Sequence, residues 1–109
     1  MNEFDKFHLV IHDRITSPGA QYYEDYWWEK ETSVFSDNSQ LTVAFIENEC
    51  TDEELWWLGE VYEEIIEKTQ DVRILNALKE RAEKVRDAKL KEDILSDIQD
   101  AERFLIHNT

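Results

Sequence analysis

The chain has 109 residues, with 26 acids against 12 bases, a formal charge of −14 and one cysteine. That is one domain's length, and a hydrophobic content of 41% sets it apart from disordered acidic chains. The single cysteine excludes an internal disulfide framework and a cysteine-based zinc site, and the acidity argues against direct binding to nucleic acid, whose phosphates it would repel. No apolar run reaches the length of a membrane span. The start, Met1-Asn2-Glu3-Phe4-Asp5, lacks the basic and apolar regions of a signal peptide, so a cytoplasmic protein without a membrane partner is expected.

Phe4 to Ile11 reads as a first strand, because Phe7, Leu9 and Ile11 alternate with His8, Val10 and His12. Ser17-Pro18-Gly19 is a turn, with proline presetting φ and glycine accepting positive φ. Residues 21–35 are ambiguous. Tyr22, Tyr23, Tyr26, Trp27 and Trp28 could lie on a helix over about 18–29 opened by Ser17-Pro18, whereas Thr32 to Phe35 favour a strand. Ser36-Asp37-Asn38-Ser39 is a second turn, followed by the strand-like run Leu41 to Ile46. The preferred reading is a hairpin of residues 26–35 with 40–47.

The period then becomes helical. Thr51-Asp52-Glu53-Glu54 is a capping box, and a helix follows to about Thr69. Asp71 can cap a second helix carrying Val72, Leu75, Leu78, Ala82 and Val85 on one stripe. A third, from about Ala88, places Leu90, Ile94, Ile98, Ala101 and Leu105 together. No glycine or proline separates these two, so they could form one long helix. Strands followed by helices imply an α+β fold: a small antiparallel sheet or hairpin from the N-terminal half, packed against about three C-terminal helices in one domain over 1–109.

Charge is uneven. Residues 1–70 hold 17 acids and 4 bases, whereas residues 71–109 hold 9 acids and 8 bases. Twelve of the 13 aromatics lie at or before Tyr62. On the Thr51–Thr69 helix, Leu55, Leu58, Tyr62, Ile65 and Ile66 share a core arc with Val61 at its edge, while Glu53, Glu60, Glu64 and Glu67 face the other way. Only Glu64 has a base four residues on, Lys68, so the outer face reads as an uncompensated acidic ridge about 21 Å long. Trp56 and Trp57 flank it. Glu47, Glu49, Asp52 and Glu53 carry the charge into the preceding turn, and Glu29 belongs to a second acidic cluster among the residue 22–28 aromatics. Aromatic anchors beside carboxylates have the composition of a surface for a basic partner. The plain alternative is that neighbouring elements cover the indoles and the acids keep the protein soluble.

Signals for catalysis are weak. His8 and His12 sit four apart on a predicted strand with no third metal ligand specified. Nothing local marks Cys50 as an activated thiol. With Gly19 and Gly59 as the only glycines, a glycine-cradled nucleotide site is close to excluded. No catalytic, cofactor-binding or metal-binding residues are expected.

The run Thr51-Asp52-Glu53-Glu54-Leu55-Trp56-Trp57-Leu58-Gly59-Glu60, continuing through Thr69, resembles small acidic immunity proteins encoded beside bacterial polymorphic toxins, including contact-dependent growth inhibition systems; Tyr26-Trp27-Trp28-Glu29 adds to the resemblance. The likeness is sharpest over residues 22–70. It implies a stoichiometric, non-catalytic inhibitor that binds a cognate basic toxin domain in the cytoplasm, with a nuclease, often one directed at transfer RNA, as the expected toxin. The expected partner-binding residues are Glu29, Glu47, Glu49, Asp52, Glu53, Trp56, Trp57, Glu60, Glu64 and Glu67. Two other readings fit the composition: a mimic of DNA charge that blocks a DNA-binding protein, and a structural or adaptor domain whose acidity is only solubilising.

Overall fold

The structure, a computed structural model, describes residues 2–17 and 24–106. Among these residues it is helical throughout, with no strand. The helices are α1 (Asp5–Thr16), α2 (Glu24–Ser36), α3 (Ser39–Asn48), α4 (Asp52–Leu58), α5 (Tyr62–Thr69), α6 (Val72–Glu83) and α7 (Ala88–Glu102), with a 3-10 turn over Gly59–Val61 between α4 and α5. The α+β expectation is therefore wrong. Its first strand is α1, and both arms of its hairpin, residues 26–35 and 40–47, are the helices α2 and α3. Pro18 and Gly19, and residues 18–23 of the rival helix, lie outside the described residues; 24–29 are helical.

Side-chain burial explains the misreading. The apparent alternation in the first segment is incidental, because Leu9 is 57% exposed. The stripe that packs inward is Phe7, Val10, Ile11 and Arg14, which is helical spacing. Nor does α1 announce its start, since Phe4 at the N-cap makes no side-chain bond. In α3 the β-branched and aromatic residues suggested a strand, yet Thr42, Phe45 and Ile46 bury one helical face. Packing has overridden propensity in both helices. The turn at Ser36–Ser39 is real but joins two helices. Asn38 caps α3 by accepting a bond from the Leu41 amide at 3.1 Å.

Phe7, Phe35 and Phe45 bring α1, α2 and α3 together, with ring centroids 4.7 to 5.7 Å apart. Burying each such ring contributes about 1.5–3 kcal/mol. The core continues through Leu55, Leu58, Tyr62 and Ile66 to Ile74, Leu78, Ile94 and Ile98. All six residues of the expected core arc, Leu55, Leu58, Val61, Tyr62, Ile65 and Ile66, are buried.

The C-terminal half follows its sequence pattern more closely, although Val72, expected on the α6 stripe, is 47% exposed and Ile74 and Ala77 are buried beside Leu75, Leu78 and Ala82 instead. The capping box at Thr51 forms in full. Asp71 caps α6 and Asp87 caps α7, the latter accepting from the Lys89 and Leu90 amides at 2.9 and 3.0 Å. That double acceptance ends the possibility of one long helix, because Asp87 offers the backbone a cap where neither glycine nor proline is present. The helix expected over Thr51–Thr69 is broken by the 3-10 turn, where Val61 leaves helical geometry at φ −124° and ψ 12°. Two helices flank that turn: α2, which also packs on α5, and α7, which also packs on α4 and α5.

Candidate functional site

An acidic cleft forms where α4 and the 3-10 turn meet α7. It has a volume of about 430 Å³ and is lined by Trp56, Trp57, Gly59, Glu60, Glu63, Asp93, Ser96 and Asp97. Each half of this lining has a local cause. Trp56 and Trp57 follow Leu55, whose burial in the core turns both indoles toward the rim, half-buried. The rings meet edge to face, with centroids 5.3 Å apart and planes at 89°. On α7, Asp93 and Asp97 each precede a buried isoleucine, Ile94 and Ile98, so both carboxylates stand one helical step off the core stripe.

The two walls approach closely at Gly59. A Cβ there would sit 2.5 Å from Oδ2 of Asp97. Glycine lets the turn and the carboxylate share that space. The walls are also tied directly, since the indole N–H of Trp56 donates to Asp93 at 3.2 Å.

The electrostatics of the cleft are graded. Asp93 is held below its ordinary value, chiefly by the Trp56 hydrogen bond and then by Lys89, whose Nζ lies 3.1 Å away. Asp97 behaves in the opposite way. Burial, then the like charges of Asp100, Asp93 and Glu63, push its carboxyl up to about 6. Glu60 is neutralised from behind. Arg14 on α1 donates to its two oxygens at 2.7 and 3.1 Å, and the guanidinium lies 5.8 Å from the Trp57 ring centre. The outer face was expected to be uncompensated, and at Glu60 it is not.

The other expected contact residues are dispersed. Asp52 is paired with Arg81 at 2.6 Å, and Arg81 also donates to the Cys50 carbonyl, so both groups serve the α3–α4 junction. Glu47 shares a small pocket with Glu80, Arg81 and Lys84. Glu49, Glu53 and Glu67 are exposed and line no cleft with the tryptophans. Glu29 and Glu64 line a second groove, between α2 and α5, together with Asp25, Trp28, Ser33 and Lys68. Asp25 and Glu29 of one acidic cluster thus meet Glu64 of the other, while Trp56, Trp57 and Glu60 converge on the cleft between α4 and α7.

Sequence reasoning missed Glu63, Asp93, Asp97 and Arg14. Asp93, Asp97 and Asp100 recur at helical spacing beside the apolar stripe of α7, and that periodicity was a readable signal. A charge sum over residues 71–109 conceals it.

His8 and His12 fall on a helix rather than a strand. The His8 Nδ1 lies 2.6 Å from the buried Glu54, while His12 is exposed. No group of three or more His, Cys, Asp or Glu side chains among the described residues is arranged to hold a metal ion. No helix among them is long and apolar enough to cross a membrane. Comparison of the chain with protein-family models, curated proteins and solved structures finds no match in any of the three.

Proposed function

We propose that the protein is an immunity protein: a stoichiometric, non-catalytic inhibitor of a cognate toxin domain with a basic surface, a nuclease in the first instance. The observation that carries the reading is the cleft, where Glu60, Glu63, Asp93 and Asp97 surround two partly exposed indoles. A guanidinium is matched to such a surface, because it can stack on an indole and pair with a carboxylate at the same time. Desolvated tryptophans are common anchors of tight interfaces, and surrounding acids raise the association rate with a basic partner. A nuclease groove is basic because it must bind phosphates, so an acidic inhibitor enters the same field. Rapid capture suits the neutralisation of a toxin that turns over.

The test is titration against the toxin domain encoded by the adjacent upstream reading frame, with heat and toxin activity followed at low and high salt. One-to-one binding that abolishes activity and weakens with salt is expected. Trp57→Ala should weaken it by about 2 kcal/mol or more, and Asp97→Lys should slow association. Asp97→Lys is a cleaner probe than Glu60→Lys, which would also strip Arg14 of its partner. Absence of binding, or of any toxin frame, overturns the reading.

A further inference from the structure

The cleft has a concealed neighbour. On α2, Glu31 is 0% exposed, and neither carboxyl oxygen has a hydrogen-bond partner among the described residues. A buried polar group without a partner is uncommon and calls for a physical account. Around Glu31 the helix is short of partners as well: the Trp28 indole N–H and the Thr32 and Ser36 hydroxyls are buried and have no partner among the described residues. Two charged groups from facing elements act on Glu31, Glu60 on the 3-10 turn and Arg14 on α1. Neither α3 nor α5, which also pack on α2, supplies a further charged group acting on it. Arg14 is itself buried, and its Nε and Nη2 serve Glu60. A guanidinium has five N–H donors, and Nη1 makes no bond within the described residues. One guanidinium therefore acts on two carboxyl groups, one that it holds and one that it does not bond.

We propose that Arg14 is shared between Glu60 and Glu31, and that loss of the Glu31 proton to solvent turns the guanidinium from the first toward the second. Burial in the first place, and then the negative charge of Glu60, raise the Glu31 carboxyl to about 8, so it is protonated at neutral pH. In that state it makes no demand on Arg14, and Glu60 keeps both bonds. Once ionised, Glu31 is a buried charge without a partner among the described residues, and the cation that acts on it is Arg14. Moving toward Glu31 loosens Glu60, which forms part of the cleft wall. The cleft then gains a carboxylate free to meet a cation. This device belongs to the chain itself and does not depend on the identity of the partner.

The experiment is NMR titration of the free, full-length protein between pH 5 and 10, following the Glu31 side-chain carboxyl carbon and the Arg14 Nε–H together. The expected result is a Glu31 midpoint near 8, with the Arg14 signal moving at the same midpoint. In Glu31→Gln, a near-isosteric change, the Arg14 movement should disappear. A Glu31 midpoint in the ordinary carboxylate range overturns the proposal. So does an Arg14 signal that stays fixed through the titration, or one that moves equally in Glu31→Gln.

Discussion

The helices α2 and α7 flank the same 3-10 turn and treat their acids in opposite ways. On α7, Asp93 and Asp97 project beside an intact apolar stripe and line an open cleft. On α2 the acid is in the core stripe itself: Trp27, Glu31 and Phe35 are all buried, at positions i, i+4 and i+8. The first arrangement presents charge to the open cleft at little cost to the fold. The second stores an unsatisfied group inside. Charge and core packing are thus separated on one helix and superposed on the other.

The largest effects should come from breaking the packing that both helices share with the core. Phe35→Ala removes a fully buried ring from the three-phenylalanine cluster and should cost about 3–5 kcal/mol in urea denaturation. Four residues away on the same face, the sign should reverse. The folded chain holds the Glu31 proton up to about 8, whereas the ordinary value is 4.5, so unfolding becomes easier as pH rises through that window. The stabilising contribution is complete below the lower value and lost above the upper. At pH 7 the penalty is about 3 kcal/mol. Glu31→Met should recover much of it and flatten the dependence of stability on pH between these limits, as denaturation at several pH values would show.

Smaller changes sharpen the contrast on the α7 side. Asp87→Ala removes the cap that separates α6 from α7 and should cost about 1 kcal/mol in thermal melting. Gly59→Ala should change stability by less than about 1 kcal/mol, because better helix propensity offsets the displacement of a movable Asp97 side chain. Its effect should instead appear in partner titration, since the displaced carboxylate lies in the cleft.

The same contrast governs what could be read from the sequence. Around α6 and α7 the caps Asp71 and Asp87 agree with the apolar spacing, and the helices form as expected, with Val72 the one stripe residue of α6 left exposed. In α1 to α3 local signals conflict. Phe4 gives no cap, Leu9 supplies a misleading alternation, and Thr42, Val43 and Ile46 favour strands until Phe45 packs against Phe7 and Phe35. Asn38 marked a boundary correctly, but a residue that caps a helix also suits a hairpin turn, so the boundary did not reveal what it joined. The site was half legible. Trp56, Trp57 and Glu60 follow from one helical segment, whereas Asp93 and Asp97 join them only through tertiary packing. Arg14 and Glu31 were hidden more deeply, because a charged residue at a core position runs against the pattern used to find cores.

Cys50 gives the molecule a clock. It is 7% exposed, its thiol donates to the Thr51 carbonyl at 3.2 Å, and burial pushes it up to about 12. Alkylation requires an accessible thiolate, so the folded chain is close to inert toward such reagents. Each labelling event then records an excursion in which the α3–α4 junction has opened. The chain's only thiol can thus time the breathing of the elbow that Arg81 braces, without any label being engineered into the protein.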